Sequence, residues 1–290
     1  MSNIFAVSNV VAKNAASLLK AELVLGRLVF RDAEAEFIGG RGDTVRVRVP
    51  RVIQAKPFTG STSAVTSSLN EQSIPVKLNT HAMSGIELTA QDMTLNVENF
   101  STQIIMSQVA GVAEMIEGEI ANVMQPVIDA ATLTIDPKNP RDAITAAGEL
   151  LDTRKVGAKS RVLVVSPKVK RTLLMDPNLS QVDSAGSPSA FRDAVVGRLH
   201  GFDVVMSPFI TGGAVAMTTE AFAAAIKAPA KPYSVNGASA VDENNQGFAM
   251  SWFVAFDGET RQERSIVEAF VGATVLDSQR AVGLKLATTP

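Results

Sequence analysis

The chain contains no cysteine. Disulfide bonds, thiolate metal sites and a cysteine nucleophile are therefore excluded, and the fold has to be held together by burial of apolar side chains. With 290 residues, 46% of them hydrophobic, the chain is large enough for one large or two medium domains with a substantial core. No apolar run approaches the roughly eighteen residues of a membrane-spanning helix, and the first residues lack the pattern of a secretory signal. We expect a soluble protein that is not exported by the general secretory route.

Histidine, the side chain most often used in acid–base catalysis, occurs only twice, and Trp and Tyr occur once each. His81 and His200 fall in different predicted elements, so each is expected to be a structural hydrogen-bond partner. The chain has no G-x-S-x-G elbow, Walker loop, H-E-x-x-H motif or G-x-G-x-x-G fingerprint. We therefore predict no catalytic residue, no cofactor and no metal ion, and a protein that is not an enzyme.

Positive charge is absent from one long stretch. Between Lys77 and Lys138 there is no Lys or Arg but there are eight Asp and Glu, whereas residues 1–60 hold nine Lys and Arg against five Asp and Glu. A basic and an acidic segment of similar extent in one chain favour association between copies, because opposite charges guide encounter and register. The pI near 5.8 argues against a dedicated reader of nucleic acid, although non-specific phosphate contacts are compatible with it.

Residues 98–129 form the longest periodic segment of the chain. Apolar residues recur there at steps of four and three, namely Ile105, Val109, Val112, Ile116, Ile120, Val123 and Val127. This spacing predicts one α-helix about 45 Å long with a single apolar stripe. An irregular heptad and the glycines at 111 and 118 disfavour a coiled coil, so we expect the stripe to pack against the strands at 265–286. Three acids of the helix have no basic partner nearby and are interpreted as a solvated or interface surface; they are Glu114, Glu117 and Glu119.

The segment before the helix predicts an extended β-ribbon. Val and Arg alternate over residues 44–49, a Ser- and Thr-rich tip follows at 57–73, and alternation resumes at Ile74. A two-stranded ribbon is marginal on its own in water, so we expect it to lie on another surface. The natural candidate is the acidic helix of a neighbouring copy, which would be contacted by Arg46, Arg48 and Arg51.

The rest of the chain alternates helices and strands in an α/β rhythm. The N-terminal region predicts a helix at Ala12–Val29. The later helices are predicted at Pro140–Arg154, Pro167–Asp176, Ala190–Arg198 and Ala221–Lys227. The strands are predicted at Arg161–Val165, Phe202–Met206, Ala214–Met217, Gly247–Phe256, Ser265–Leu276 and Arg280–Leu286.

In this order the elements resemble the major capsid proteins of tailed bacteriophages with the Hong Kong 97 fold, and in particular the P-twenty-two-type coat-protein branch. The resemblance covers essentially the whole chain, and it is the order of several short motifs that carries it. These motifs are LVLGRLV at 23–29, GDTV at 42–45, VKLNTH at 76–81, GFDV at 201–204 and AFAAA at 221–225. The chain leaves no room for the extra inserted domain of some longer coat proteins of that branch.

The resemblance implies an α+β fold with an N-terminal arm at 1–43, an E-loop ribbon at 44–90, a P-domain with the spine helix at 91–138, an A-domain at 139–260 and C-terminal P-domain strands at 261–290. It also implies a coat protein that assembles in the host cytoplasm into pentamers and hexamers of an icosahedral shell around double-stranded DNA. Scaffolding and portal proteins would be further partners, the DNA would be contacted non-specifically, and no membrane would be involved. Lys56 and Lys77 flank the ribbon without a matching acceptor pattern, so covalent linkage between subunits is not predicted.

Two other interpretations remain open from the sequence. An encapsulin-like compartment shell would share the fold and hold protein cargo. An α/β enzyme with a site within residues 140–227 would need a cleft with titrating groups, and the sequence offers no candidate constellation of such groups.

Overall fold

The computed structural model describes residues 23–31, 44–49, 72–89, 104–176, 197–230, 236–241, 249–259 and 262–287. The helices in these ranges are α1 (Met106–Asp129), α2 (Pro140–Thr153) and α3 (Pro167–Leu174). The first strands are β1 (Thr44–Val49), β2 (Gln72–Lys77), β3 (Thr80–Thr89), β4 (Leu133–Ile135), β5 (Arg161–Val165), β6 (Arg198–Leu199) and β7 (Phe202–Met206). The remaining strands are β8 (Gly213–Thr218), β9 (Phe222–Lys227), β10 (Asn236–Val241), β11 (Ala249–Asp257), β12 (Gln262–Val275) and β13 (Ala281–Leu286).

The predicted long helix is present as α1, which has 24 residues. It begins at Met106, after a π-type turn at residues 104–105, while residues 98–103 lie outside the described part of the chain. Its apolar stripe is buried against β12 and β13, including Val267, Ala269, Val271 and Ala281. The prediction that the stripe packs against the C-terminal strands is therefore confirmed.

One sheet is built around the 14-residue strand β12. It has the order β10-β11-β12-β3, and β9 pairs with the other end of β12, all in antiparallel fashion. Side chains alternate between the two faces of β12, and those at 265, 267, 269 and 271 are all buried. This alternation gives the sheet one face that covers α1.

A second sheet has six strands in the order β4-β13-β8-β5-β7-β6. Its strand β5 runs parallel to β7 and is buried throughout, and α2 and α3 pack against this sheet. Strands β9 to β11 join β12 in the first sheet, whereas β13 lies beside β8 in the second. The pairing of strands depends on residues far apart in the sequence. The order of the elements along the chain therefore does not reveal it.

The predicted helix at Ala221–Lys227 is wrong. After a 3₁₀ turn at Thr219–Ala221, residues Phe222–Lys227 form β9, paired with β12 from Phe222↔Val275 to Lys227↔Phe270. Ala223 and Ala225 face one apolar cluster, while Phe222, Ala224 and Ile226 face the cluster around α1. The run therefore has a period of two, and the strand is covered on both faces. Tertiary burial overrides the helix propensity of alanine.

The predicted helix at Ala12–Val29 is replaced, in its described part, by a short 3₁₀ turn at Leu25–Arg27. The chain then forms a bridge with β9, in which Phe30 N donates to Phe222 O at 2.9 Å and Ala224 N donates to Phe30 O at 3.1 Å. Residues 12–22 lie outside the described part, as do all but the last two residues of the predicted helix at 190–198. Of those two, Arg198 begins β6.

The base of the ribbon is present as an antiparallel pair of β1 and β2, in register from Thr44↔Lys77 to Val49↔Gln72. Val47 and Val76 are buried against Ala223 and Ala225 of β9. The base of the ribbon thus lies on its own chain, and the tip at residues 50–71 is outside the described part.

Candidate interaction sites on the ribbon and the central helix

The ribbon presents a polar face on the side opposite to Val47. Arg46 is exposed there and its Nη1 lies 3.4 Å from Ser73 Oγ on the paired strand. The backbone of Arg48 is two residues further along the same strand, and Arg51 lies outside the described residues. Because side chains two apart on a strand share a face, the predicted alternation of Val and Arg is confirmed at Arg46 and Val47.

Three of the four acids of α1, namely Glu114, Glu117 and Glu119, do not form one surface. Glu114 is exposed and Glu119 is partly exposed, and neither makes an ion pair among the described residues. Glu117, in contrast, is 4% exposed. The expectation that all three acids lie on a solvated or interface surface is therefore wrong for Glu117.

Glu117 binds the N-terminal arm of its own chain. Its Oε1 accepts hydrogen bonds from the backbone N–H of Val24 at 2.8 Å and of Gly26 at 3.1 Å, and its Oε2 accepts one from Leu25 N–H at 2.9 Å. The first N–H groups of a helical turn have no acceptor within the turn, and Val24 at the N-cap position offers no side-chain acceptor. A carboxylate distant in sequence satisfies them instead. We call these four residues the arm site.

The electrostatics of the arm site are governed by burial. Desolvation raises the pKa of Glu117 above its ordinary value of 4.5, because the charged form is disfavoured away from water. The hydrogen bonds from Leu25, Gly26 and Val24 and the charge of Arg27 lower this pKa, but they offset the effect of burial only in part. The carboxyl group is thus more easily protonated in the arm site than in water.

A second buried polar group ties α1 to the sheet on its apolar side. The Gln108 amide, which is fully buried, donates from Nε2 to Ser84 O at 3.0 Å and to Ser265 O at 2.7 Å. Its Oε1 accepts from Ser265 Oγ at 2.9 Å, and the same Oγ accepts from Trp252 Nε1 at 3.0 Å. The polar atoms of this cluster satisfy one another, so it fixes the position of α1 on β3, β11 and β12.

His81 has the structural hydrogen-bond partner that the sequence predicts, whereas for His200 this stays a prediction. His81 Nε2 lies 3.0 Å from Glu268 Oε2, Glu268 Oε1 accepts from Ser251 Oγ at 3.2 Å, and the His81 ring lies 4.5 Å from that of Phe270. His200 occupies the turn between β6 and β7 with φ 48°. No group of three His, Asp or Glu in the described part of the chain is arranged to hold a metal ion.

An open groove of about 680 Å³ runs along the C-terminal half of α1. Its walls are mainly apolar and come from α1, α2, β12 and β13, with Arg154 at one side. Arg154 donates from Nη1 to the carbonyl oxygens of Gln279 and Ala281, both at 3.1 Å, so its charge is engaged in holding α2 to β13. The groove therefore presents a mainly apolar surface, and Arg154, the charged residue of its lining, already binds two carbonyl oxygens.

Sequence reasoning missed the arm site, although a signal was present. On the helix, Glu117 lies one turn from Ala113 and Ala121, beside the apolar stripe, whereas Glu114 lies outside it. Burial of an acid beside an apolar stripe requires a specific partner for its carboxylate. The partner itself could not be identified, because it consists of backbone N–H groups about ninety positions away.

Comparison with known proteins identifies the family. Residues 72–269 match the family model described as phage capsid protein. No curated protein sequence matches the chain. None of the helices in the described ranges is both long and apolar enough to cross a membrane.

Solved structures extend the likeness to nearly the whole chain. A structure from Mycobacterium phage Che8 is 16% identical with a TM-score of 0.62, covering 90% of both chains. The mature capsid of bacteriophage PhiM1 is 16% identical with a TM-score of 0.55, covering 87% of this chain and 84% of the other. A virus-like particle from Pyrococcus furiosus is 11% identical with a TM-score of 0.52, covering 97% and 99%. At these identities the likeness establishes the fold, which is the Hong Kong 97-type α+β capsid fold, whereas the P-twenty-two-type branch stays a prediction.

Proposed function

The chain belongs to the phage capsid protein family and is a structural protein of the virion shell, and from this premise we propose that it is the major coat protein of an icosahedral capsid. In this proposal its copies form pentamers and hexamers that enclose double-stranded DNA and contact it non-specifically. Scaffolding and portal proteins would complete the particle during assembly in the host cytoplasm. The protein would act by self-association and catalyse no reaction.

The observation that supports this assembly is the charge on two surfaces that remain open in the subunit. Arg46 on the ribbon and Glu114 and Glu119 on α1 are accessible, and among the described residues none of them has a partner of opposite charge. We propose that Arg46, Arg48 and Arg51 of one copy meet Glu114 and Glu119 of the next. Exposed ion pairs contribute little affinity singly, but they set register and speed encounter.

The test is charge reversal in the full chain. Arg46→Glu with Arg48→Glu is expected to abolish shells seen by negative-stain microscopy and sedimentation, while the subunit keeps its circular dichroism spectrum. The matched control reverses Lys168 and Arg171, two exposed cations on α3 that carry the same charge. Adding Glu114→Arg and Glu119→Arg to the ribbon variant should restore part of the assembly, because the charges on both sides of the proposed contact are then reversed.

Two results would contradict this proposal. Wild-type protein that stays monomeric over wide ranges of concentration, salt and pH would exclude self-assembly as the function. Shells that form equally well from the ribbon variant and from the control would exclude these residues as the interface.

A second candidate is a shell that holds protein cargo. The observation behind it is the match over 97% of the chain to a virus-like particle from Pyrococcus furiosus, which has the same fold as the phage capsids. The two candidates share the fold and differ in what the particle encloses, which is DNA in one and protein in the other. Particles purified from cells should therefore be analysed for nucleic acid by absorbance and for co-purifying protein by mass spectrometry. Particles that contain a second protein and no long DNA would favour the cargo shell.

A further inference from the structure

The arm site joins the N-terminal arm to the middle of α1. The arm contributes one short turn and a bridge to the edge of β9, and α1 already has a full apolar stripe against the sheet. In the arm, Leu23 and Leu25 are fully buried and Val29 is 4% exposed. Docking of the arm therefore buries a short apolar segment against α1 and β9.

The polar part of this association has a single acceptor group. Three consecutive backbone N–H groups converge on the Glu117 carboxylate at 2.8 to 3.1 Å. Glu117 is 4% exposed, so no water can readily replace it as acceptor, and a buried N–H without an acceptor is costly. The three bonds also orient the turn, because each N–H has to point at the carboxylate.

Few other charges compete at this point. Arg27 of the arm is the charged group that acts on Glu117. On α1 the positions one turn away are Ala113, Glu114, Ile120 and Ala121, of which Glu114 is exposed to water. The part of β9 that faces α1 is apolar.

We propose that Glu117 is a positioning residue for assembly, which anchors residues 23–31 on the middle of α1 and thereby holds the arm in the position that shell formation requires. This inference rests on the proposed shell function and adds to it a contact that is made within one subunit. Loss of the anchor is expected to free the arm, leave the two sheets folded, and prevent closed shells.

The experiment compares Glu117→Ala with wild type in the full chain. The control is Asn122→Ala, an exposed polar position on the same helix. Trypsin cleavage after Arg27, followed by mass spectrometry on unassembled subunits, measures arm docking, because Leu28 N donates to Leu25 O and Leu25 is buried while the arm is bound. Shell yield by sedimentation and microscopy measures assembly, and thermal unfolding measures the fold.

For Glu117→Ala we expect cleavage after Arg27 to accelerate by about tenfold or more, with cooperative unfolding retained and closed shells largely lost. The Asn122→Ala control should match wild type in all three measurements. Unchanged cleavage would overturn the anchor, and a freed arm with normal shells would overturn its role in assembly.

Two further results are also decisive. If Glu117→Ala does not fold, Glu117→Gln is used instead, because its amide keeps one acceptor oxygen; it should accelerate cleavage less, and no acceleration would overturn the anchor. If wild-type protein makes no shells, the shell function fails, and accelerated cleavage in the variant would still support Glu117 as the holder of the arm.

Discussion

The Glu117 carboxylate and the Leu25 backbone N–H, 92 positions apart in the chain, are joined by a buried hydrogen bond of 2.9 Å. With the parallel bonds to Val24 and Gly26, it makes a side chain of the central helix the cap of a turn in the N-terminal arm. Glu114, only one turn away, remains in water. Two acids one turn apart on α1 therefore have different environments, because Glu117 is buried inside the subunit and Glu114 is exposed to solvent.

Arm docking should depend on pH through Glu117. Its pKa is raised above 4.5 when the arm is bound, so the bound state takes up a proton more readily than the released state. The contribution of Glu117 to docking is therefore fully present below about pH 4.5 and is lost as the pH rises through the raised pKa. Hydrogen exchange of the Leu28 and Ala224 amides, corrected for intrinsic rates, should slow as the pH falls from about 7 to 5.

The control for this pH dependence is Glu117→Gln, which has no titrating group at the arm site. Its exchange at the same amides should show no matching change, so the difference between the two proteins isolates Glu117 from the other acids. Faster corrected exchange in wild type at the lower pH, relative to the Gln variant, would contradict the assigned direction.

Replacement of Gly283 should destabilise the subunit strongly. A Cβ added there would collide with the Val127 carbonyl oxygen of α1 and lie 2.7 Å from its carbon, so backbone has to move. We expect Gly283→Ala to lower the free energy of unfolding by about 3 kcal/mol, measured by urea denaturation. Gly118→Ala is the contrasting variant, since no atom lies within 4 Å of its added Cβ. It should stabilise the subunit by up to about 1 kcal/mol, because alanine is the better helix former.

Gln108→Ala should cost about 3 kcal/mol of unfolding free energy. It removes the donor to Ser84 O and Ser265 O and the acceptor of Ser265 Oγ, and it leaves a cavity in the core. The emission of Trp252, the single tryptophan, should change with it because the indole N–H bonds to the same Ser265 hydroxyl. Ser107→Ala, exposed and adjacent, should stay within about 0.5 kcal/mol of wild type and keep its spectrum. Equal stabilities for the two variants would show that the cluster is not structural.

Ala225→Leu should loosen the ribbon from the sheet. Ala225 is 2% exposed and faces the ribbon base at Val47 and Val76, so a larger side chain has no room. Overpacking of this kind costs about 1 to 3 kcal/mol, and exchange of the β1 amides should accelerate. Ala158→Leu, in an exposed turn, serves as the control. Slow exchange of β1 in Ala225→Leu would contradict this packing.

Several features of the protein follow from local sequence alone. The repeat of apolar residues from Val109 to Ile120 is enough to specify an amphipathic helix, and alternation of Val and Arg is enough to specify β1, because each period matches one backbone geometry. The run Arg161–Val165 was likewise recognisable as a buried strand. The absence of cysteine excludes disulfide bonds and thiolate chemistry, and the sequence contains none of the catalytic motifs named above.

The tertiary structure decided the features that depend on distant partners. Residues 222–227 form a strand because β12 supplies hydrogen bonds and two apolar clusters cover both faces, which outweighs the preference of alanine for a helix. The strand at 281–286 joins the six-stranded sheet, although the strand just before it belongs to the other sheet. Glu117 is buried because the arm folds back onto α1 and presents three N–H groups, and a carboxylate is removed from water only where such donors meet it.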